Sequence, residues 1–316
     1  MSASLSGAAP KAGGPLGRLS SPAVGLRASQ ASNALFVLPF LVVYALLLLW
    51  PLVKGWIISF HDHDLLSNDS FFIGLQNYRE LWEDDVFHQV VWNTLRFVMI
   101  SVPIFVVLSL TLAIALNRPG RLAAVLRAIF FAASVFSVTL ITLVWQLALM
   151  PGRGMVDQGF AALGLPQLQW LTSDALALPT LALVTVWWII GLPMMLFLSA
   201  LQQIPSEMYE AAALDNASRW RTLTHVTLPS LKRTIALVAV IEVIRQCQVF
   251  PQVMLMTNGG PNNTTRPIVQ FIYEQAFMQL SLGYATAASQ VLLLVMLAGV
   301  SVQLWLERND RAGGVR

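Results

Sequence analysis

Charge is what this chain has least of. Asp, Glu, Lys and Arg make up only 11% of its 316 residues, and 56% are hydrophobic. A soluble domain carries about 25% charged residues, so the composition puts a membrane protein ahead of a water-soluble one. There is a single cysteine, Cys247, which excludes an intrachain disulfide. A lone thiol among apolar neighbours reads as a packing residue. The four histidines, His61, His63, His88 and His225, sit in loops or near the ends of apolar runs. They form no catalytic cluster, and no Cys/His set has metal-ligand spacing. No phosphate-binding glycine loop of the Walker type occurs, so the chain itself is not expected to bind ATP. The net charge of +3 is small and is no nucleic-acid signal. No repeat of about 20–50 residues is visible.

What is present is a series of apolar runs. About 20 helical residues cross the hydrocarbon, and six stretches approach that length: 34–53, 97–116, 128–149, 175–201, 234–256 and 285–306. Pro193 marks a kink in the fourth, and the fifth contains Glu242 and Arg245. Trp50, Trp56, Trp170 and Trp305 lie near the ends of runs, where aromatic belts form. The expected architecture is all-α and polytopic, with six transmembrane helices over 34–306. A Ser-, Ala-, Gly- and Pro-rich tail, 1–33, reads as disordered, and a short tail follows at 307–316.

Lys and Arg set the orientation. With the N-terminus inside, segments 1–33, 117–127, 202–233 and 307–316 hold 13 of them, and the outer segments hold 4. That bias places both termini in the cytoplasm. The first outer loop is acidic, with Asp62, Asp64, Asp69, Glu80, Glu83, Asp84 and Asp85. The acids lack EF-hand spacing and read as a solvated face. Asp85 to Thr94 reads as a half-amphipathic helix at the interface before the second run. Residues 151–174 and Thr257–Thr265, TNGGPNNTT, are rich in turn residues, and the latter makes a rigid corner.

The most structured polar segment is 204–232. Pro205 suits a first helical turn, Ser206 suits a cap, and Glu207 and Glu210 lie early, where the helix dipole favours acids. Ala211, Ala212, Ala213 and Leu214 favour helix. Asp215, Asn216 and Ser218 supply a corner. A second amphipathic piece, Trp220 to Val226, leads to Pro229. From the residues alone, two readings stay open: a docking surface, or a connector lying on the lipid.

The segment resembles the cytoplasmic coupling motif of importer permeases of ATP-binding-cassette (ABC) transporters. That motif reads Glu-Ala-Ala, then Asp-Gly-Ala, then Leu-Pro. Glu210, Ala211 and Ala212 match the first part, Asp215 and Ala217 the second, and Leu228 and Pro229 the last. Pro205, Glu207, Tyr209, Ser218 and Trp220 are similar to the carbohydrate-uptake branch of maltose and glycerol-phosphate type. So are GLQNYREL, NTLRF, NGGPNNTT, IYEQAF and GYATAAS. The likeness covers roughly Ala34 to Leu306. One position departs: Asn216 replaces the motif glycine. Asn is the residue that best tolerates the positive φ such a glycine implies, at a cost of about a kcal/mol or less.

The resemblance implies the type I importer permease fold. It also implies a second permease subunit, in this branch a different chain, and two ATP-binding subunits that hold the ATP and Mg. This chain would then need no cofactor. An extracytoplasmic solute-binding protein would deliver a sugar-like molecule across a bacterial or archaeal inner membrane. Glu207, Glu210, Ala211, Ala212, Asp215, Asn216 and Ala217 would dock the ATPase. Gly259, Gly260, Pro261 and Asn262 would meet the binding protein. In the spans, Trp145, Gln146, Trp187 and Trp188 are candidates for stacking or hydrogen bonding to a sugar. Glu242, Arg245, Gln246 and Gln248 form a polar group that would line the path. Glu242 and Arg245 equally suit mutual neutralisation. A self-contained secondary transporter with an ion site at that pair is the competing reading.

Overall fold

The computed structural model describes residues 37–64, 66 and 70–313, with side chains to 301. The 1–33 tail and the Trp305 side chain fall outside the described residues. The chain divides into two units, 1–54 and 55–316. Helix α1, Val37–Ile58, is 22 residues long and strongly apolar. It contains a π-helical turn at Ala45–Leu49.

The second unit begins with a departure from the all-α expectation. β1, His61–His63, pairs antiparallel with β2, Ser70–Phe72, with His61 opposite Phe72. Helix α2, Gln76–Glu83, follows. Asn77 is buried beneath it and donates to the carbonyls of Ser59 and His61, at 2.9 and 3.0 Å.

Helix α3, Asp85–Leu116, is the spine of this unit. The expected interfacial helix at 85–94 is not separate; it runs unbroken into the second span as 32 residues. Asp84 makes this start. Its Oδ1 accepts from the amides of Val86 and Phe87 at 2.7 and 3.2 Å, and its Oδ2 accepts from the Tyr284 hydroxyl at 2.8 Å. The cap satisfies two orphan donors and favours the positive end of the dipole. Thr94, Ser101 and Thr111 turn their hydroxyls back onto the carbonyls four residues earlier, at 2.7–2.8 Å. A polar side chain thereby costs little inside an apolar helix. Phe87 and Val90, then Phe97, Phe105, and lastly Ala113 and Leu116 each enter a different core cluster, so α3 touches all four.

The third and fourth spans are not straight. The third divides into α4, Arg121–Ala133, and α5, Val138–Ala148, bent by 98°. Ser137 caps α5 by accepting from the Leu140 amide at 3.4 Å. The fourth divides into α7, Ala177–Ile189, and α8, Gly191–Leu201, bent by 53°. The bend is at Ile190, upstream of the expected kink residue Pro193. The physical cause is the proline: it has no N–H for the carbonyl four residues back, at Ile189, and its ring crowds that oxygen. The two breaks meet. A Cβ on Gly191 would lie 2.3 Å from the Phe130 carbonyl oxygen. Trp188 Nε1 donates to the Phe136 carbonyl at 3.3 Å.

After α6, Met155–Ala162, and the α7–α8 pair come α9, Ser206–Leu214, and α10, Arg219–Thr222. A π-helical turn, Leu223–Thr227, then passes directly into α11, Leu228–Cys247. The amphipathic piece expected at 220–226 therefore runs directly into α11 and is not a separate helix. Pro229 explains the wide turn: it cannot donate to His225, and the preceding Leu228 amide reaches Leu223 instead. α11 ends at Cys247, and α12, Pro251–Met256, restarts after three residues. Cys247 is buried among apolar side chains. α13, Ile268–Tyr273, precedes α14, Leu282–Gly313, which extends the sixth run into the expected tail. Gly283 lets α14 start against β1; a Cβ there would lie 2.0 Å from the His61 carbonyl oxygen.

Among the described residues, three helices are long and apolar enough to cross a membrane by length and composition. Counting each bent pair as one crossing gives up to five. α11 has 20 residues but carries Lys232, Arg233, Glu242 and Arg245. Six crossings thus do not follow from helix length and composition alone.

Replacing Gly191 with Ala forces a methyl into the Phe130 carbonyl and is expected to cost about 1–3 kcal/mol, the usual range for overpacking. Gly159→Ala, where a Cβ meets nothing within 4 Å, serves as the control. Thermal unfolding in detergent compares the two. Equal midpoints would show that the broken spans do not press together at Gly191.

Candidate functional sites at the two ends of the long helix

α9 is a helix with no core of its own. None of its residues is buried, and Leu214 is 84% exposed. Ser206 does not cap it. Pro205 takes the cap position, without a side-chain hydrogen bond, and Ser206 is the first helical residue. The C-terminus is where the local chemistry is strong. Asn216 has φ +50°, as its place in the motif predicts. Its amide donates to the Ala213 carbonyl at 3.1 Å, and the Ala217 amide donates to the Ala212 carbonyl at 2.9 Å. This pair of bonds around a left-handed residue is a Schellman closure. Ser218 then caps α10, its hydroxyl accepting from the Arg221 amide at 3.3 Å. The corner therefore stops one helix and starts the next within four residues.

The result is a rigid projection. Glu207, Glu210 and Asp215 are exposed on it, as are Met208, Leu214 and Trp220, with Arg219 and Arg221 just beyond. Ala211 is exposed; Ala212 and Ala217 are half-buried. A cross-tie, the Tyr209 hydroxyl to the Thr227 hydroxyl at 3.3 Å, joins α9 to the π-helical turn. Ile204, which leads into α9, packs on the cluster of Leu116, Leu201 and Leu231. The projection thus springs from the C-terminal end of α3.

The other site lies at the opposite end of α3. Residues 257–266 form a knot whose composition follows from its backbone. Asn258, Gly259, Asn262 and Asn263 have φ of +50°, +83°, +45° and +57°, the left-handed region that Gly and Asn adopt most readily. A Cβ on Gly259 would also meet Arg266 Cβ at 3.0 Å and Gln270 Nε2 at 3.1 Å. Asn93 Nδ2 donates to the Asn263 and Arg266 carbonyls at 2.6 and 3.1 Å. Gln89 Nε2 donates to the Asn262 carbonyl at 3.1 Å. Thr94 Oγ1 accepts from the Ile268 amide at 3.0 Å. On the far side Asn262 Nδ2 reaches the Asp174 carboxylate at 3.2 Å, and Arg266 at the end of the knot pairs with Glu274 just past α13.

The path candidates fall into two groups. Trp145 and Trp187 meet edge to face, with centroids 5.3 Å apart. Trp187 is 48% exposed, while Trp145 packs on a core cluster. Trp188 is held by its bond to Phe136. Gln146 Nε2 donates to the Leu255 carbonyl at 2.6 Å, joining α5 to α12. Gln146 also lines an open cleft of about 530 Å³ with Gly260 and Pro261, which brings a path candidate beside two binding-protein candidates. In the second group Glu242 is 1% exposed and accepts from Gln246 Nε2 at 3.0 Å. Arg245 stands 3.9 Å from it and is partly exposed. Gln248 is exposed beyond the end of α11, its Nε2 3.7 Å from Met296 Sδ. No hydrogen bond, ion pair or ring contact joins the two groups among the described residues.

Sequence reasoning left several residues without a role. Asn93 and Thr94 were visible only as part of NTLRF. Asp157, buried in α6, accepts from the Gly152 amide at 2.9 Å and from Trp170 Nε1 at 2.8 Å. It holds the 151–174 segment folded, and an isolated acid in a Gly-rich loop was its only signal. Among the described residues, no group of three or more His, Cys, Asp or Glu is placed to hold a metal ion.

Comparison with known proteins supplies the family. Residues 93–312 match the family described as binding-protein-dependent transport system inner membrane component. A probable ABC transporter permease protein of Bacillus subtilis, YurN, is 33% identical over 268 residues, covering 84% of this chain and 91% of the relative. The diacetylchitobiose uptake system permease protein NgcF of Streptomyces coelicolor is 29% identical over 286 residues, covering 86% and 81%. A bacterial alginate ABC transporter, crystallised with its alginate pentasaccharide-bound periplasmic protein, contains a chain of the same fold. Its TM-score is 0.79 at 22% identity, over 90% of this chain and 96% of that one. With its motif segment closed by a left-handed Asn216 and its sequence matched over that length, the chain belongs to the family of binding-protein-dependent inner membrane permeases of ABC transporters.

Proposed function

We propose that this chain is one of two different permease subunits of a sugar importer, with α9 as the helix that seats in the ATPase. The family is that of the membrane permease, and ATP hydrolysis belongs to a partner ATPase. The observation that carries the docking assignment is α9 itself. A helix with no buried residue, closed at Asn216 and capped again at Ser218, is rigid without support from the core. Such an element transmits a push from a partner through packing. Small Ala211 and Ala212 allow close approach, Glu210 offers an acceptor, and exposed Leu214 and Met208 offer apolar area.

Six crossings complete the reading, with α11 as the fifth. Its four charges suit it: Lys232 and Arg233 lie at its cytoplasmic head, and Glu242 is paired with Arg245 and accepts a hydrogen bond from Gln246. Both termini are cytoplasmic on the Lys/Arg bias. Two ATP-binding subunits holding ATP and Mg sit below, and the chain itself carries no cofactor. A solute-binding protein meets the 259–262 turn from outside. The solute is a sugar or related polyhydroxy compound, in line with relatives named for diacetylchitobiose, arabinooligosaccharide and lactose transport. The half-exposed Trp187, set against Trp145, offers a stacking face for a sugar ring. Glu242, Arg245, Gln246 and Gln248 offer hydrogen bonds along the path.

Glu210→Lys and Ala212→Trp are expected to abolish ATP-driven uptake in proteoliposomes of the assembled importer, with membrane insertion unchanged. Normal uptake by both would remove α9 as the docking helix. At the corner, Asn216→Gly should leave ATPase attachment unaltered. Asn216→Val, a β-branched residue in a left-handed site, should weaken it by about 1–2 kcal/mol, or roughly tenfold; titration of the ATPase onto the purified permease pair measures this. In the path, Gln248→Ala and Trp187→Ala should each lower solute-stimulated hydrolysis by about tenfold. Unchanged rates would exclude both from solute contact.

A further inference from the structure

Two sequence segments some 170 residues apart lock together at the N-terminal end of α3. Asn93 and Thr94 belong to one, and 257–266 to the other. Asn93 is only 3% exposed and Thr94 only 4%. Both hydrogens of the Asn93 amide nitrogen are engaged by backbone carbonyls of the knot, at Asn263 and Arg266. The Thr94 hydroxyl accepts the amide of Ile268, the first residue of α13, and donates to Val90 in its own helix. A carbonyl or amide left without its partner in such a place would cost far more than an exposed one, so these bonds decide where the knot can sit. Bonds within the knot, such as Thr257 to Thr265 and Thr265 to the Gly260 carbonyl, and the Arg266–Glu274 pair fix its internal shape; Asn93 and Thr94 tie that shape to α3. The tip of the knot, Pro261 and Asn262, is fixed through Asn262 to Gln89 on one side and to Asp174 on the other.

We infer that Asn93 and Thr94 are positioning residues for transport: they clamp the 257–266 knot to α3 and so set the surface that receives the solute-binding protein. This rests on the reading of Gly259, Gly260, Pro261 and Asn262 as that surface. The clamp also has a mechanical side. From Asn93 the same unbroken helix runs 23 residues to Leu116, about 35 Å at 1.5 Å per residue. Leu116 packs with Leu201 and Leu231, and Ile204 on the way into α9 joins them. A binding protein seated on the knot therefore bears on one end of a rod whose other end carries the root of the docking helix. Asn93 is buried and its amide is spent on the knot. It acts only through the posture of the knot.

The test uses the assembled importer in proteoliposomes: both permease subunits, the ATPase pair and the solute-loaded binding protein. ATP hydrolysis is measured without binding protein and then against its concentration. Asn93→Leu keeps the branched shape and removes the donors. It is expected to raise the half-maximal binding-protein concentration about tenfold, with basal hydrolysis within about twofold of wild type. Thr94→Val should act in the same direction, and Thr94→Ser, which keeps the hydroxyl, should restore the wild-type curve. An unchanged half-maximal concentration in Asn93→Leu and Thr94→Val overturns the inference. So does an equal loss of basal and stimulated hydrolysis, which marks general damage. If Asn93→Leu does not assemble, the Thr94 pair decides by the same criteria. Asn262→Trp at the tip separates the two layers of the argument. If it shifts the curve and the Asn93 and Thr94 variants do not, only the positioning role fails. If it leaves the curve unchanged, the knot is not the receiving surface and the reading beneath the inference fails with it.

Discussion

Everything in the second unit depends on α3 being one unbroken helix. Its 32 residues would extend about 48 Å, longer than the hydrocarbon needs. The excess matters because it places both functional ends on the same rod. Phe87 and Val90 pack near its start, Phe97 and Phe105 along its middle, and Ala113 and Leu116 at its end. Pro103 sits inside it, yet the helix persists, because packing on several sides over-determines its course. The Asp84 cap fixes where it starts and also holds Tyr284 of α14. One carboxylate thus sets a helix end and a helix–helix contact together.

Against that rod, the neighbouring spans are bent. α4 and α5 turn by 98°, and α7 and α8 by 53°. The 98° break leaves backbone groups without helical partners, and two side chains take them up: Ser137 caps α5, and Trp188 of α7 donates to the Phe136 carbonyl. Gly191 lets the two breaks approach to backbone contact. The cover is one-sided: Ile190 and Gly191 are buried, whereas Val135, Phe136 and Ser137 at the other break are exposed. Broken helices beside a straight one suit a permease, since the bends are places where a span can change direction without unfolding.

Much of the site was legible in the residues. Glu-Ala-Ala followed by Asp, Asn and Ala announced a helix and a left-handed stop, and Asn216 adopts the φ that its motif place requires. The start and stop of α9 lie within a few residues of each other, so local rules suffice. The Asn- and Gly-rich turn was equally readable as a rigid corner, and four of its residues prove left-handed. Its partners were not readable. NTLRF and NGGPNNTT stood in the sequence as separate signals, and GLQNYREL and GYATAAS as two more. In space the first pair meets through Asn93 and Thr94. The second pair meets at the His61 strand, where Asn77 donates to its carbonyl and Gly283 makes room for it.

What the sequence determined by itself was the solvent each stretch would accept, because a charged side chain in hydrocarbon is costly wherever the chain folds. That alone marked the apolar runs, the charge bias and the polar segment at 204–232. It also determined the two corners, because the left-handed region admits Asn and Gly before other residues. Only the tertiary structure decided that 85–94 continues α3, that the third span breaks at 134–137, and that Pro193 acts three residues upstream of itself. It alone also paired Asn93 with a loop 170 residues away. The physical reason is range. Solvation and φ preference are properties of a residue and its immediate neighbours. Which buried amide finds which carbonyl depends on what the whole packed unit brings within 3 Å.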